Sequence, residues 1–279
     1  MEKNELLERF NKQMLMSKRS ESTIKRSLYV VSDFIKNEGE GPYNKNHVID
    51  YLSKLSDKGF TGNYLRMCYY VLKTFYKSLG LKWEFEKSDV PKANEPFVDY
   101  YTIDEVNRML EITNPDVEPF MLKNHLMVRL LWLLGLRKEQ LVSIKWPDID
   151  LEKGKIVIYG IKGSGNRVAD LDKRTIELLK RIPDKNGYLF KGRVKNEPIN
   201  GQSVNYIIKR LCKIAGIKYK GVHAFRRGIV TELYKRGMKE ADLKELLRWK
   251  TPTMVFRYIR LSSSEVEEKA KELHPLFKG

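Results

Sequence analysis

The sequence predicts a mainly α-helical protein with one small antiparallel β-sheet, arranged as two domains. Three observations carry that expectation. Apolar residues recur at the spacing of one helix face through successive segments of the first 80 residues. From 81 to 100 this periodicity stops, and Pro91 and Pro96 appear among mixed charges, which suits an exposed connection. Beyond it, one pair of short β-rich runs interrupts further helical segments. The expected division is a helical domain over 1–90, a linker over 91–100 and an α+β domain over 101–279.

Taken in order, residues 2–17 place Leu6, Leu7, Phe10 and Met14 on one helical stripe. Ser20 and Ser22 lead into a second helix with Leu28, Val31, Phe34 and Ile35 inward, stopped by Gly39-Glu-Gly-Pro42. A third helix over 45–57 turns Val48, Tyr51, Leu52 and Leu55 inward and stops at Gly59. The fourth, over 61–79, carries Tyr64, Leu65, Cys68, Val71, Leu72 and Phe75 and ends at Gly80. Thr102-Ile-Asp-Glu105 has the pattern of a capping box and opens the second domain. An apolar helix over 122–136 follows, and Arg137 comes directly after Leu133-Leu-Gly-Leu136. That arginine is either an end-cap whose stem lies along apolar surface or a cation placed for use. Lys155–Tyr159 and Arg167–Leu171 read as a hairpin, with Gly163 and Gly165 supplying the turn and Lys162 at its tip. Helices over 173–181 and 201–214 precede the stretch from His223 to Tyr258, and 262–279 reads as a charged terminal helix.

Composition narrows the partners. The chain has 53 Lys and Arg against 36 Asp and Glu, a net charge of +17, which points to a polyanion, nucleic acid before anionic membrane. No apolar run approaches the length of a membrane span, because Arg129 interrupts the best candidate. The start, MEKNELLERF, reads as an amphipathic helix and not a signal peptide. Cys68 and Cys212 follow apolar residues and are expected as small buried side chains of a reducing, cytoplasmic setting. Four scattered histidines and no paired cysteines argue against a metal site, and no cofactor is expected. In the first domain, Arg19, Lys25, Arg26, Arg66 and Lys73 interleave with hydroxyls and amides on the outer helix faces. Each alone suits an ordinary solvated face; as a group they suit helices lying on a phosphate backbone.

The chemistry concentrates in the segment His223–Tyr258. His223-Ala-Phe-Arg226 puts an imidazole and a guanidinium on one side of a helix. Arginine donates two parallel hydrogen bonds to phosphate oxygens, histidine moves protons near neutral pH, and tyrosine can form a covalent intermediate. Trp249 and Tyr258 are nine residues apart, on roughly opposite sides of an unbroken helix. Thr251-Pro252 breaks it: one helix is expected to end near Lys250 and another to start at Pro252, letting Tyr258 turn back towards His223. Any one of these residues alone also has an ordinary reading as core, cap or solvated side chain.

Gly135-Leu-Arg137, Lys162-Gly in a hairpin, His223-x-x-Arg226, Trp249 and Tyr258 follow one another in that order. With them the chain resembles, over nearly its full length, a tyrosine recombinase of the Xer-like or mobile-element integrase kind. The resemblance implies a helical SAM-like core-binding domain followed by an α+β catalytic domain. It implies that Tyr258 attacks the scissile phosphate to give a 3′-phosphotyrosine and a free 5′-hydroxyl, without metal or nucleotide. Arg137 and Arg226 would clamp the non-bridging oxygens, Lys162 would protonate the leaving oxygen, and His223 would assist proton transfer. Trp249 stands where members usually carry His, and its indole N–H can still donate. Gln140 stands where they usually carry an acid, three places after Arg137. The implied partners are a double-stranded DNA recombination site and further copies of the chain, a tetramer on DNA, with the C-terminal helix at 265–275 docking on a neighbour or folding back on its own domain. A type IB topoisomerase-like enzyme and an inert DNA-binding protein are the rival readings. The short N-terminal domain favours recombination over the first, and the presence of all five motifs argues against the second.

Overall fold

Local start and stop signals shape both units into which the chain's internal contacts divide it, Met1–Phe97 and Val98–Gly279. The computed structural model describes residues 3–39, 41–93, 99–161, 165–249 and 271.

In the first unit, α1 (Lys3–Met16), α2 (Glu21–Glu38), α3 (Lys45–Asp57) and α4 (Gly62–Leu79) close on one core. Asn44 starts α3 by accepting from the backbone N–H groups of Asn46 and His47, and Thr61 starts α4 by accepting from Tyr64. Gly80 ends α4 in the left-handed region, φ +74°, which costs glycine nothing. The core is aromatic: Phe34 meets Tyr51 edge-on at 5.4 Å, and Phe10 meets Phe75 edge-on at 5.7 Å. The phenols keep polar partners, Tyr51 on Asp33 and Tyr76 on the Asn44 carbonyl. Tyr69 and Tyr76 widen the inner face of α4 beyond the expected stripe. Their cover is Trp83, whose ring lies 5.1 Å from Tyr69 and 5.2 Å from Tyr76, so aperiodic sequence after Gly80 still packs.

The second unit is built around α6 (Leu122–Leu133), which follows α5 (Ile103–Ile112). Thr102 and Glu105 form the expected reciprocal cap of α5. Leu126, Met127, Val128, Leu130 and Leu131 are all buried, so α6 is covered on nearly every side. After α7 (Lys138–Ser143) come β1 (Ile149–Asp150), β2 (Lys155–Ile158) and β3 (Arg167–Asp170), an antiparallel meander in the order β1-β2-β3. Ile158 pairs with Arg167 and Lys155 with Asp170, so Ile156 and Ile158 face the core while Val168 stays 61% exposed. The unit continues with α8 (Lys173–Lys180), α9 (Gly201–Ile214), α10 (His223–Lys235) and α11 (Glu240–Leu246).

Two helix ends differ from expectation, and one strand, β1, was not expected. Helix α6 stops at Leu133, not Leu136, because Gly135 takes φ +55°. Strand β1, with two residues, is too short to show alternation. Helix α11 stops at Leu246, not near Lys250: Arg248 is left-handed at φ +50°, and the Trp249 N–H reaches back to the Lys244 carbonyl. The expected break at Pro252 lies outside the described residues. Among the described residues, no helix is long and apolar enough to cross a membrane. Both cysteines are buried and free, and burial pushes the Cys68 thiol up to about 11.

Entry into the second unit is locked against α10. The Tyr101 phenol accepts from the Lys220 backbone N–H, and its ring lies 4.7 Å from Phe225. Gly228 makes the crossing possible, since a Cβ there would stand 2.1 Å from the Tyr101 carbonyl oxygen.

His125 on α6 is buried, with Nδ1 3.1 Å from both the Thr113 hydroxyl and the Leu110 carbonyl. Burial, then the Arg129 charge, lowers its pKa from 6.5 to about 4. The unfolded chain therefore binds a proton here that the fold rejects: the stability His125 contributes is fully present above pH 6.5 and is lost as pH falls towards 4. Urea titrations at a series of pH values should show wild type losing up to about 3 kcal/mol more than His125→Asn over that interval.

Candidate active site

The arginine turn follows from how α6 ends. A Cβ on Gly135 would lie 3.1 Å from Leu247 Cδ2 and 3.2 Å from Ile229 Cγ2, so both its positive φ and its crowding call for glycine. Leu136 then anchors in the core and delivers Arg137 to the start of α7. Gln140 fixes that start. Its Oε1 accepts from the Arg137 backbone N–H at 3.0 Å, and its Nε2 donates to the Tyr159 carbonyl at 3.2 Å. One amide thus ties the arginine turn to the end of β2, three residues before Lys162. A carboxylate in its place could accept the first bond but not donate the second. Arg137 Nη1 is buried and has no hydrogen-bond partner among the described residues.

Helix α10 supplies the second guanidinium. Arg226 is 2% exposed; its Nη1 donates to the Gly135 carbonyl at 2.6 Å and its Nη2 to the Leu247 carbonyl at 3.0 Å. Its Cζ lies 5.2 Å from the centre of the Trp249 ring. Trp249 is itself buried with Val230, Leu243 and Leu247, which carries the chain after α11 onto Arg226. His223, at the first position of α10, keeps an exposed edge while its neighbours crowd the imidazole. Desolvation first, and then Arg227, Lys138 and Arg137, hold its pKa below the ordinary value against the opposing pull of Glu139. The neutral ring is a proton acceptor.

Arg167, read in the sequence only as part of a strand, joins the same cluster. Its Nη1 donates to the Leu246 carbonyl at 2.7 Å and its Nη2 to the Leu134 carbonyl. Burial, followed by the charges of Arg248 and Arg137, lowers its pKa to about 10. Arg137, Arg167, Arg226 and Arg248 thus gather at one junction, an arrangement made to receive an anion. Among the described residues, no group of three His, Cys, Asp or Glu side chains is placed to hold a metal ion.

Of the expected site residues, Arg137, Arg226 and Trp249 are brought to this junction, with His223 at the head of α10. Lys162, Tyr258 and the terminal helix expected at 265–275 lie outside the described residues, Lys271 apart. Elsewhere, burial pushes the phenols of Tyr51, Tyr76 and Tyr101 well above their ordinary value, as suits core residues and not nucleophiles. In the first unit, Arg19, Lys25, Arg26, Arg66 and Lys73 are all exposed. Lys25 pairs with Glu21 at 2.6 Å, a contact open to solvent. Arg66 and Lys73, seven residues apart on α4, share a face.

Comparison with known proteins adds a family. The model of the phage integrase family matches residues 100–265. Tyrosine recombinase XerA of Pyrococcus furiosus is 28% identical over 98% of this chain and 96% of its own. Among solved structures, the Tn1549 transposon integrase in complex with transposon right end DNA superposes with a TM-score of 0.73, covering 96% of this chain and 99% of that one at 17% identity. The XerH site-specific recombinase bound to a palindromic difH substrate gives 0.71, covering 89% and 79% at 20% identity. At these identities the structural likeness establishes a common fold.

Replacing Gln140 separates its two bonds. Gln140→Met removes this partner from the Arg137 N–H and the Tyr159 carbonyl and should lower stability by about 1–3 kcal/mol in all. Gln140→Glu keeps the acceptor and should fall between Met and wild type in urea unfolding. Equal midpoints for all three proteins would show that the amide braces nothing.

Proposed function

The chain belongs to the phage integrase family, and we propose that it is a site-specific DNA recombinase that cuts and rejoins duplex DNA through a 3′-phosphotyrosine at Tyr258. The observation that carries this reading is the junction of arginines around Arg226. There the Arg137 turn, the His223–Arg226 helix and the segment leading through Trp249 towards Tyr258 converge.

In the proposed reaction Tyr258 attacks the scissile phosphorus and the 5′ oxygen leaves. Arg137 and Arg226 donate to the non-bridging oxygens, where charge grows in the transition state. Arg137 brings to this task an Nη1 with no hydrogen-bond partner among the described residues. His223, held neutral, takes up the phenol proton. Lys162 protonates the leaving oxygen, and Trp249 packs against Arg226 and lends its N–H. One phosphodiester is exchanged for another, so the bond energy is retained for religation by the incoming 5′-hydroxyl.

The first unit is proposed as the core-binding domain, laying Arg19, Lys25, Arg26, Arg66 and Lys73 on the DNA backbone. Four protomers on two paired sites would complete the reaction, with the terminal helix docking on a neighbour, in the cytoplasm.

A nicked suicide duplex, selected from a random pool by binding to the wild-type chain, tests the reading. Wild type should accumulate a covalent adduct, Tyr258→Phe should bind but form none, and affinity should fall steeply with salt as counterions are released. Binding without any adduct would favour an inert DNA-binding protein. Relaxation of supercoils without strand exchange would favour a topoisomerase.

A further inference from the structure

Two guanidiniums bridge the same two helix ends, and the reaction above uses one of them. The last carbonyls of a helix have no partner within it and carry its negative pole, so they attract cations. At the end of α6 those carbonyls belong to Leu134 and Gly135; at the end of α11 they belong to Leu246 and Leu247. Arg226 takes Gly135 and Leu247, and Arg167 takes Leu134 and Leu246, the adjacent carbonyl on each side. The two arginines come from different elements, α10 and β3.

We propose that Arg167 is a positioning residue for strand cleavage. Its guanidinium fixes the end of α11, from which the chain runs to Trp249 and Tyr258, against the end of α6, from which it runs to Arg137. The proposal rests on the recombinase reading and extends it. Arg167 begins β3 five residues after Lys162, so the side chain that joins the two helix ends also ties the hairpin carrying the proposed general acid to both.

Simple stability does not call for an arginine here. Arg137 and Arg248 stand close enough to oppose its charge, and Arg248 itself pairs with Glu245. The site tolerates this repulsion in return for a second tie, beside Arg226, between the two backbone segments. A planar fork can reach two carbonyls at once; an ammonium on a flexible stem reaches one or the other. Reacting groups displaced by about 1 Å lose about 100-fold in rate, so a loosened tie should appear in chemistry before binding.

The test compares wild type, Arg167→Lys and Arg167→Gln on the selected suicide duplex, with amide hydrogen exchange on the free proteins. At saturating duplex, Arg167→Gln should form adduct about 100-fold more slowly while DNA affinity falls far less, and Arg167→Lys should recover part of the rate. Exchange should rise in 246–249 while α6 stays protected. Wild-type cleavage and exchange in Arg167→Gln would overturn the proposal. So would equal slowing in both variants with exchange raised throughout the second unit, the mark of a role in folding alone. Should wild type itself form no adduct, the recombinase reading fails. The exchange measurement then still decides the tie, present if 246–249 alone loosens and refuted if nothing changes.

Discussion

The second unit depends on one buried charge. A guanidinium removed from water is unfavourable unless its hydrogen bonds are replaced, and Arg226 replaces them with two carbonyls from separate helix ends and the face of an indole. That requirement propagates. The ends of α6 and α11 must meet, so Gly135 sits in a left-handed turn that favours glycine, where a Cβ would press on Leu247 and Ile229. The chain must then turn at once, which buries Leu136 and presents Arg137. The same contact carries the chain after α11 over Arg226, with Trp249 as its lid. A residue proposed to grip phosphate is thus also what assembles the place where phosphate would be gripped.

Smaller constraints hold the surrounding pieces. Gly228 lets the backbone at Tyr101 cross α10, which fixes the helix carrying His223 and Arg226 against the start of the unit. Lys220, between Glu105 and the Tyr100 carbonyl, pins the loop that leads into that helix. Gln140 joins the arginine turn to the hairpin through an amide that both accepts and donates. The amide thus braces this corner with a donated bond that a carboxylate could not make. Each contact uses a short polar link where packing alone would allow slippage, and each lies within one or two residues of a side chain with a proposed catalytic role or at the entrance to its helix.

Much of this was legible in the sequence, for identifiable reasons. Helix starts at Asn44, Thr61 and Thr102 and the stop at Gly80 are local chemistry, visible within a few residues. The hairpin showed itself through β-branched runs around paired glycines, and the candidate site through the order of five short motifs. What escaped was non-local. Nothing near Gly135 announces that Leu247 will crowd it, so the early end of α6 was hidden. The end of α11 depends on a left-handed Arg248, a conformation sequence does not suggest for arginine. Arg167 looked like one more strand residue because its partners are backbone carbonyls 33 and 79 positions away. Tyr69 and Tyr76 fall outside the expected stripe of α4 because their cover, Trp83, comes from aperiodic sequence after the helix.

The most direct measurement is the chemical identity of the covalent link. The adduct trapped on the suicide duplex is digested with protease and nuclease, and mass spectrometry locates the nucleotide on the protein. The expected result is a single modified residue, Tyr258, joined through the 3′-phosphate, with a free 5′-hydroxyl on the released strand. Attachment through a 5′-phosphate, or to any other of the 15 tyrosines, would contradict the arrangement of Arg137, Lys162, His223, Arg226, Trp249 and Tyr258 around one phosphodiester.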